Sequence, residues 1–271
     1  MHRIGVTQWS LGVIGPNALL LAAHLSLATI HIDAGEAKGQ PSLGIPSVQR
    51  AYLECKRNSG TAITGVALNR FNDIGVAYAP DVCWDFARRS IDAAHILDVP
   101  TVIIPWFRQN TLDTQTKIAQ AESFLYRLSR EALPPTMMLA IETDLGVHEL
   151  CALMKAVDHA RVRLLLDIYN PVIAGHHVAA MLPALANWLL DQVHVKDGHH
   201  TTKGEALLGE GNGDIRATLA ALLQLDFMGD FVLENAYPFF GWQGIHHDIA
   251  VLNSFFPLAK TPLANMHRKV C

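Results

Sequence analysis

The chain has 271 residues, which is long enough to bury a large core in a single domain. Its 21 basic and 25 acidic side chains leave a net charge of −4, which excludes the broad basic surface of a general nucleic-acid-binding protein. Four scattered cysteines form no CxxC pair, the N-terminus lacks a signal-peptide pattern, and no apolar stretch is long enough to span a bilayer. We therefore expect a soluble cytoplasmic protein with reduced thiols and with no nucleic-acid or membrane partner.

Short apolar runs alternate along the chain with longer segments of helical period. The runs predict eight strands, at Ile4–Gln8, Thr29–Asp33, Ala62–Leu68, Val102–Trp106, Met137–Thr143, Val162–Ile168, Gln192–Lys196 and Phe231–Asn235. The segments between them predict helices such as Asp81–Leu97, Leu112–Ala132, Val147–Val157, Val178–Leu190 and Ile215–Gln224.

Eight apolar strands that alternate with helices indicate a parallel sheet covered by helices. We predict an α/β fold, a (β/α)₈ TIM barrel, with residues 1–271 as one domain because no linker or low-complexity tract divides the chain. An open doubly wound sheet stays open as the alternative, since periodicity alone does not close a barrel. The first strand–helix turn has no GxGxxG motif, which removes the usual dinucleotide-binding interpretation.

Metal-competent side chains stand at or near the carboxyl ends of four consecutive predicted strands. Apolar runs lead directly into Glu142, Asp167 and Glu234, and the alternation around His194 points its ring into the barrel. Taken singly, each acid is explained as well by a helix cap, and the histidine by a satisfied core position. Four such residues on consecutive strands, at the catalytic face of a barrel, instead predict a shared binding site for one divalent ion, Mn²⁺, Mg²⁺ or Co²⁺. Zinc stays open, although the lack of thiolates argues against a structural zinc site.

The segments LAIETDLG, LLLDIYNP, VHVKDG, LLGEGNGDI and FVLENAY resemble, in this order, the sugar phosphate isomerase/epimerase superfamily of xylose isomerase-like barrels. The resemblance rests on specific motifs in the second half of the chain, whereas the first half shows only a general strand–helix pattern. It implies that Glu142, Asp167, His194 and Glu234 coordinate one metal ion. It also implies that Glu142 and Glu234 are the acid/base pair.

One branch of the superfamily is more similar than the others. The segment from Asp167 to Asn170 and the stretches HVKD and LGEGNGD resemble L-ribulose-5-phosphate (L-xylulose-5-phosphate) 3-epimerases. The chain departs from that pattern at Tyr169, where the branch has glycine, and at Leu208, where it has an aromatic residue. Asp33 stands where many members have glutamate at the end of the second strand. These departures concern the substrate and leave the metal ligands unaffected.

Three further residues are candidate substrate contacts. Asn170 can bind a substrate hydroxyl or act as a turn residue before Pro171, and Lys196 can stabilise an enolate or form a rim ion pair with Asp197. Arg216 is a candidate phosphate contact, as are Lys203, His199 and His200. The glycines at 209, 211 and 213 permit a loop that approaches a phosphate or covers the site.

The predicted function is a metal-dependent sugar or sugar-phosphate epimerase/isomerase that acts through an ene-diolate, with two glutamates as acid and base. One alternative is a lyase or dehydratase on the same barrel, which removes the same kind of proton and then expels a leaving group. The other is a non-catalytic sugar-binding barrel. A multi-metal nuclease is disfavoured because the histidine pairs fall mostly in loops and helices. The resemblance makes a homo-oligomer the default expectation.

Overall fold

The structure is a computed structural model that describes residues 2–36 and 39–256. Two of the sequence expectations extend beyond these ranges. Cys271 lies outside the described residues, and so do residues 257–271 of the predicted single domain. The extent of that domain therefore stays a prediction.

Eight parallel strands in the described ranges form a closed barrel in the order β1 to β8. The barrel closes where β1 pairs with β8, with Ile4 opposite Phe231. Closure excludes the open doubly wound sheet, and the predicted (β/α)₈ fold is confirmed. The strands are β1 Ile4–Thr7, β2 Thr29–Asp33, β3 Ala62–Ala67, β4 Thr101–Pro105, β5 Met138–Glu142, β6 Val162–Asp167, β7 Leu189–Val195 and β8 Asp230–Leu233.

Helices surround the barrel, and none of those described is both long and apolar enough to cross a membrane. Short 3₁₀ turns lie at Gln8–Leu11, Arg108–Asn110, Ala186–Trp188 and Tyr237–Phe239. The α-helices are α1 Asn17–His24, α2 Pro46–Ser59, α3 Phe71–Ile74, α4 Pro80–Ile96, α5 Gln115–Glu131, α6 Val147–Val157, α7 Asn170–Ile173, α8 Val178–Leu185, α9 Ile215–Gln224 and α10 Gly241–Phe255.

The strands are buried on both faces, as a parallel sheet covered by helices requires. All residues of β2, β4 and β8 are buried, although β2 carries the polar side chains Thr29, His31 and Asp33. Inside the barrel, Ala67, Ile103, Ala140, Leu165 and Leu190 form a separate apolar cluster. These apolar side chains fill the barrel interior together with the buried polar residues His31 and Gln192.

Two predicted helix boundaries differ from the structure for identifiable reasons. α5 begins at Gln115 rather than Leu112, because the Thr114 side chain accepts a hydrogen bond from the Lys117 N–H and caps the helix there. The predicted helix Val178–Leu190 was wrong at its end, since α8 stops at Leu185 and β7 already begins at Leu189. The apolar residues at 189 and 190 fit both periods, and burial of Leu190 inside the barrel decides for the strand.

Candidate metal centre and cavity

Four side chains converge at the carboxyl end of the barrel. One ligand atom from each of Glu142, Asp167, His194 and Glu234 lies within 4.8 Å of the others. His194 Nδ1 stands 3.4 Å from Glu142 Oε1 and 3.3 Å from Glu234 Oε2. The structure therefore brings together the four residues that the strand ends predicted, in a group able to hold a metal ion.

The main chain and two neutral side chains hold these carboxylates in place. Asp167 Oδ1 accepts hydrogen bonds from the N–H groups of Tyr169 and Asn170, at 2.7 and 2.6 Å. The Trp9 indole N–H donates to Glu234 Oε1 at 2.8 Å, and the Asn170 amide donates to Glu142 Oε1 at 3.3 Å. Each carboxylate thus has one oxygen held by a neutral group of the protein, and the second oxygens of Asp167 and Glu234 contact Lys196.

Lys196 supplies the positive charge of the cluster. Its ammonium lies 2.6 Å from both Asp167 Oδ2 and Glu234 Oε2, and its side chain is buried. Burial acts to lower the pKa of Lys196, but Asp167 and the two glutamates outweigh burial and raise it. The lysine therefore keeps its proton throughout the neutral range.

The environment separates the pKa values of the titratable groups in this cluster. Burial raises the pKa of Glu142, and the nearby Glu234 raises it further against the opposing effect of His194. Burial acts in the same direction on Glu234, but Lys196 and His194 reverse it and hold the pKa well below its usual range. Burial acts to lower the pKa of His194, whereas Glu234 and Glu142 raise it to about 10. Without a metal, the imidazole therefore retains a proton that partly neutralises the acids.

The donor set fits one divalent cation. With His194 neutral, as a metal ligand must be, three carboxylates and one ammonium carry a net charge of −2, which one divalent ion balances. Within the described part of the chain, His194 Nδ1 is a buried atom that makes no well-formed hydrogen bond. This atom faces Glu142 and Glu234. Oxygen and imidazole ligands of this kind suit Mg²⁺, Mn²⁺, Co²⁺ or Zn²⁺.

The cluster opens into a cavity of about 470 Å³. This volume is in the usual range for small-molecule sites, roughly 300–1,000 Å³. The charged centre lies on one side, with Asn170 and Lys196 beside it. The rest of the lining comes from the first half of the chain and from the loop after β7, and includes Trp9, Asp33, Asn69, Phe107, Arg108 and Lys203.

Two of the three predicted substrate contacts line this cavity, and the third does not. Asn170 and Lys196 lie in its wall, next to the carboxylates. Arg216 is exposed on α9 with its guanidinium carbon 5.8 Å from the centre of the Phe255 ring, and it is not part of the lining. The expectation that Arg216 contacts substrate is therefore withdrawn, because this position faces the helical layer.

The loop after β7 is organised by Asp197. Its carboxylate accepts hydrogen bonds from the N–H groups of Gly209, Gly211 and Gly213, at 2.9, 3.1 and 3.0 Å. These groups are therefore satisfied within the protein, contrary to the expectation that this loop binds a phosphate through its backbone. A Cβ atom at Gly211 would lie 2.3 Å from Asp197 Oδ1, so glycine is required there. Asp197 also does not pair with Lys196, which faces the opposite side of the chain.

Several residues of the site escaped the sequence analysis. Trp9 donates a hydrogen bond to Glu234, and no pattern in the sequence indicated this contact. Asn69 was not among the candidate residues, yet its amide donates to Asp33 Oδ2 at 2.7 Å within the cavity. His31 was read as part of an apolar strand, although it is fully buried with its Nδ1 atom 2.9 Å from His194 Nε2.

The chain belongs to the xylose isomerase-like TIM barrel family, whose model matches residues 46–253. This agrees with the sequence resemblance and extends it into the first half of the chain. A 2-epi-5-epi-valiolone 7-phosphate 2-epimerase from Actinoplanes sp. (strain SE50/110) is 32% identical over 220 residues, which cover 81% of this chain and 82% of that protein.

Solved structures share the fold at much lower sequence identity. A D-tagatose 3-epimerase-like protein superposes with a TM-score of 0.75 at 16% identity, over 93% of this chain and 96% of the other. The D-allulose 3-epimerase from Methylomonas sp. gives 0.72 at 15% identity, over 94% and 98%. An L-ribulose 3-epimerase gives 0.73 at 14% identity, over 94% of each chain. At this level of identity, these likenesses establish the fold alone.

Proposed function

We propose that this protein is an epimerase of sugars or sugar-like phosphates that depends on one divalent metal ion. The observation that carries the proposal is the group of Glu142, Asp167, His194 and Glu234, with ligand atoms within 4.8 Å of one another at the mouth of the barrel. The curated relative at 32% identity bears the name of an epimerase that acts on a 7-phosphate, which supports both the reaction class and a phosphorylated substrate.

The reaction requires removal of a proton from a carbon next to a carbonyl group. A bound divalent ion supplies Lewis acidity that stabilises the negative charge of the resulting ene-diolate. Glu142 and Glu234 stand on strands β5 and β8, which are separated by two other strands. One carboxylate removes the proton, and the other returns a proton to the opposite face of the same carbon, which inverts its configuration.

The neighbouring side chains orient these two glutamates. Trp9 donates to Oε1 of Glu234, whose Oε2 contacts Lys196, and Asn170 donates to Oε1 of Glu142. Lys196 lies between Asp167 and Glu234, where its charge stabilises negative charge on a substrate oxygen. We therefore retain Asn170 and Lys196 as substrate contacts.

The phosphate of such a substrate binds at the cavity mouth in this proposal. Lys203 lines the mouth with its ammonium 4.7 Å above the Phe107 ring, and no carboxylate of the described residues forms an ion pair with it. Arg108 lines the same mouth and pairs with Asp73. Its left-handed backbone, with φ of 54°, is an uncommon conformation that holds this side chain at the rim.

The first experiment measures bound metal and isotope exchange. The purified protein is loaded with Mn²⁺ and incubated in D₂O with ketopentoses, ketohexoses and cyclitol ketones, each free and phosphorylated. We expect one metal per chain and deuterium at a single carbon next to the carbonyl, with product mass otherwise unchanged. Loss of water from the product would indicate a lyase instead. Stoichiometric metal without exchange in any substrate would indicate a binding protein and contradict the proposal.

Single glutamate variants then test the two-base mechanism at saturating Mn²⁺. Glu142→Gln and Glu234→Gln should both stop epimerisation, since each lacks one of the two proton carriers. Each variant should still exchange deuterium into the one epimer whose proton faces the remaining glutamate. If either variant still exchanges both epimers, a single base serves both faces and the assigned pair is wrong.

A further inference from the structure

A chain of hydrogen bonds crosses the barrel interior beneath the metal centre. The Gln192 amide N–H donates to the carbonyl oxygen of Thr64 at 3.4 Å, and its Oε1 atom lies 2.5 Å from His31 Nε2. His31 Nδ1 in turn lies 2.9 Å from His194 Nε2. Gln192, His31 and His194 are all buried, at 4%, 0% and 0% exposure. This series of hydrogen bonds therefore links the backbone of β3 to a predicted metal ligand through buried groups.

The donor and the acceptor of each hydrogen bond in this series can be assigned. A carbonyl oxygen only accepts, so the Gln192 NH₂ group faces Thr64 and its Oε1 atom faces His31. That oxygen also only accepts, so His31 Nε2 carries the proton. A neutral imidazole has a single N–H, which leaves His31 Nδ1 as an acceptor for the N–H at His194 Nε2. The remaining nitrogen of His194, Nδ1, is the atom that faces Glu142 and Glu234.

The barrel makes room for this arrangement at one position. A Cβ atom at Gly65 would lie 2.9 Å from His31 Cδ2 and 2.7 Å from Ile103 Cδ1. Gly65 pairs with His31 across β2 and β3, next to an irregularity in the register of these two strands. The imidazole of His31 thus fills the space that a side chain at residue 65 would take, and this fixes the plane of its ring.

We propose that His31 and Gln192 are positioning residues that hold His194 with its Nε2 protonated, so that Nδ1, the nitrogen facing Glu142 and Glu234, is the one that a metal ion would bind. They thereby set the affinity of the site for a divalent ion. This inference rests on the proposed function for the presence of the metal, but the hydrogen bond from His194 to His31 is a property of the protein itself. Partners of this kind typically contribute roughly 10–100-fold to metal affinity.

The first test measures the affinity for Mn²⁺ by calorimetry in three variants. His31→Phe keeps a ring but removes the acceptor, and we expect the Kd to rise about 10–100-fold. His31→Gln restores an acceptor for His194 and a donor for Gln192, so it should recover most of that loss. Ile103→Val removes one methyl group beside the same ring space and serves as the matched control, with an unchanged Kd. Equal affinity in the wild type and His31→Phe would overturn the proposal.

The second test detects the hydrogen bond directly. Histidine labelled with ¹⁵N should give an N–N coupling across the bond from His194 Nε2–H to His31 Nδ1, in the metal-free protein and with diamagnetic Zn²⁺. The coupling should vanish in His31→Gln, which keeps the fold and the metal. Absence of the coupling in the wild type, or a proton on His31 Nδ1, would overturn the inference.

The two tests separate this inference from the proposed function. If the wild type binds no divalent ion, the metal-dependent function fails, and so does the effect of His31 on metal affinity. The N–N coupling still decides whether His31 and Gln192 orient His194. If the wild type binds metal and His31→Phe binds it equally well, the function stands and the role of His31 fails.

Discussion

Strand β8 carries a carboxylate at each end, and the two have opposite surroundings. At its amino end, Asp230 forms a two-bonded pair with Arg3, at 2.8 and 2.7 Å, and the Arg3 side chain is about half exposed at 52%. Just beyond its carboxyl end, Glu234 contacts Lys196, Trp9 and His194, all within the cavity region. The same strand thus leads from a peripheral ion pair at one end of the barrel to the candidate metal centre at the other.

The pKa values of Asp230 and Glu234 are shifted in opposite directions. Burial raises the pKa of Asp230, and Arg3 only partly opposes this because its exposed guanidinium is solvated. The buried Lys196 and His194 overcome burial at Glu234 and hold its pKa well below the usual range. The surroundings of Asp230 therefore disfavour its charge, whereas those of Glu234 favour its charge at the carboxyl end, the face at which barrels of this type bind their ligands.

The largest expected effect is the contrast between Glu234→Gln and Asp230→Asn. Loss of a proton-transferring carboxylate should lower kcat about 10²–10⁴-fold with the fold intact. Asp230→Asn is the matched control on the same strand and should leave kcat unchanged. Epimerisation rates and circular dichroism of both variants measure this. Comparable loss of activity in both would mean that β8 acts as one structural unit and that the contrast between its ends is wrong.

Metal removal should have the next largest effect, and only at the carboxyl end. An ion at 100 times its Kd stabilises the fold by about 2.7 kcal/mol, so chelation should lower the melting temperature of the wild type by several degrees. Asp167→Asn, which weakens the ligand set, should show little metal-dependent shift. Arg3→Ala should melt lower but retain the full shift. A full shift in Asp167→Asn would place the ion elsewhere.

A smaller effect is expected at the cavity mouth. Lys203→Ala should raise KM for a phosphorylated substrate about 10-fold, the equivalent of roughly 1.4 kcal/mol, with little change in kcat. The corresponding dephosphorylated substrate should be affected little. Arg216→Ala is the control, because Arg216 lies against Phe255 outside the cavity. A similar change for both substrates in Lys203→Ala would remove this residue from phosphate recognition.

The smallest effect is the pH dependence of stability at Asp230. Its pKa is raised in the folded protein, so the folded state holds the proton more tightly than the unfolded state. This contribution to stability is fully present below the unfolded pKa of about 4 and declines as pH rises through the folded pKa.

Asp230→Asn does not titrate, so between pH 4 and pH 7 its stability should improve relative to that of the wild type. We expect the change to stay below about 1 kcal/mol, because Arg3 is solvated. Urea unfolding at both pH values measures the difference. A shift in favour of the wild type would mean that Arg3 outweighs burial and that the pKa is lowered.

The amino-acid sequence by itself predicted the eight strands and the four metal-competent residues, and it favoured a barrel without excluding an open sheet. Glu142, Asp167 and Glu234 each follow directly after a short apolar run, and parallel strands place such ends on one face. The boundary between α8 and β7 failed because residues 189 and 190 satisfy both periods locally, and only burial inside the barrel distinguishes them.

Only the tertiary structure decided which polar groups meet across the barrel. His31 and His194 are 163 positions apart, and their contact depends on the register of the closed sheet and on the space left by Gly65. The ion pair between Lys196 and Asp197, one of two interpretations left open by the sequence, does not form, because adjacent residues of an extended chain face opposite sides. Strand periodicity specifies the direction of a side chain, but barrel closure alone specifies what that side chain meets.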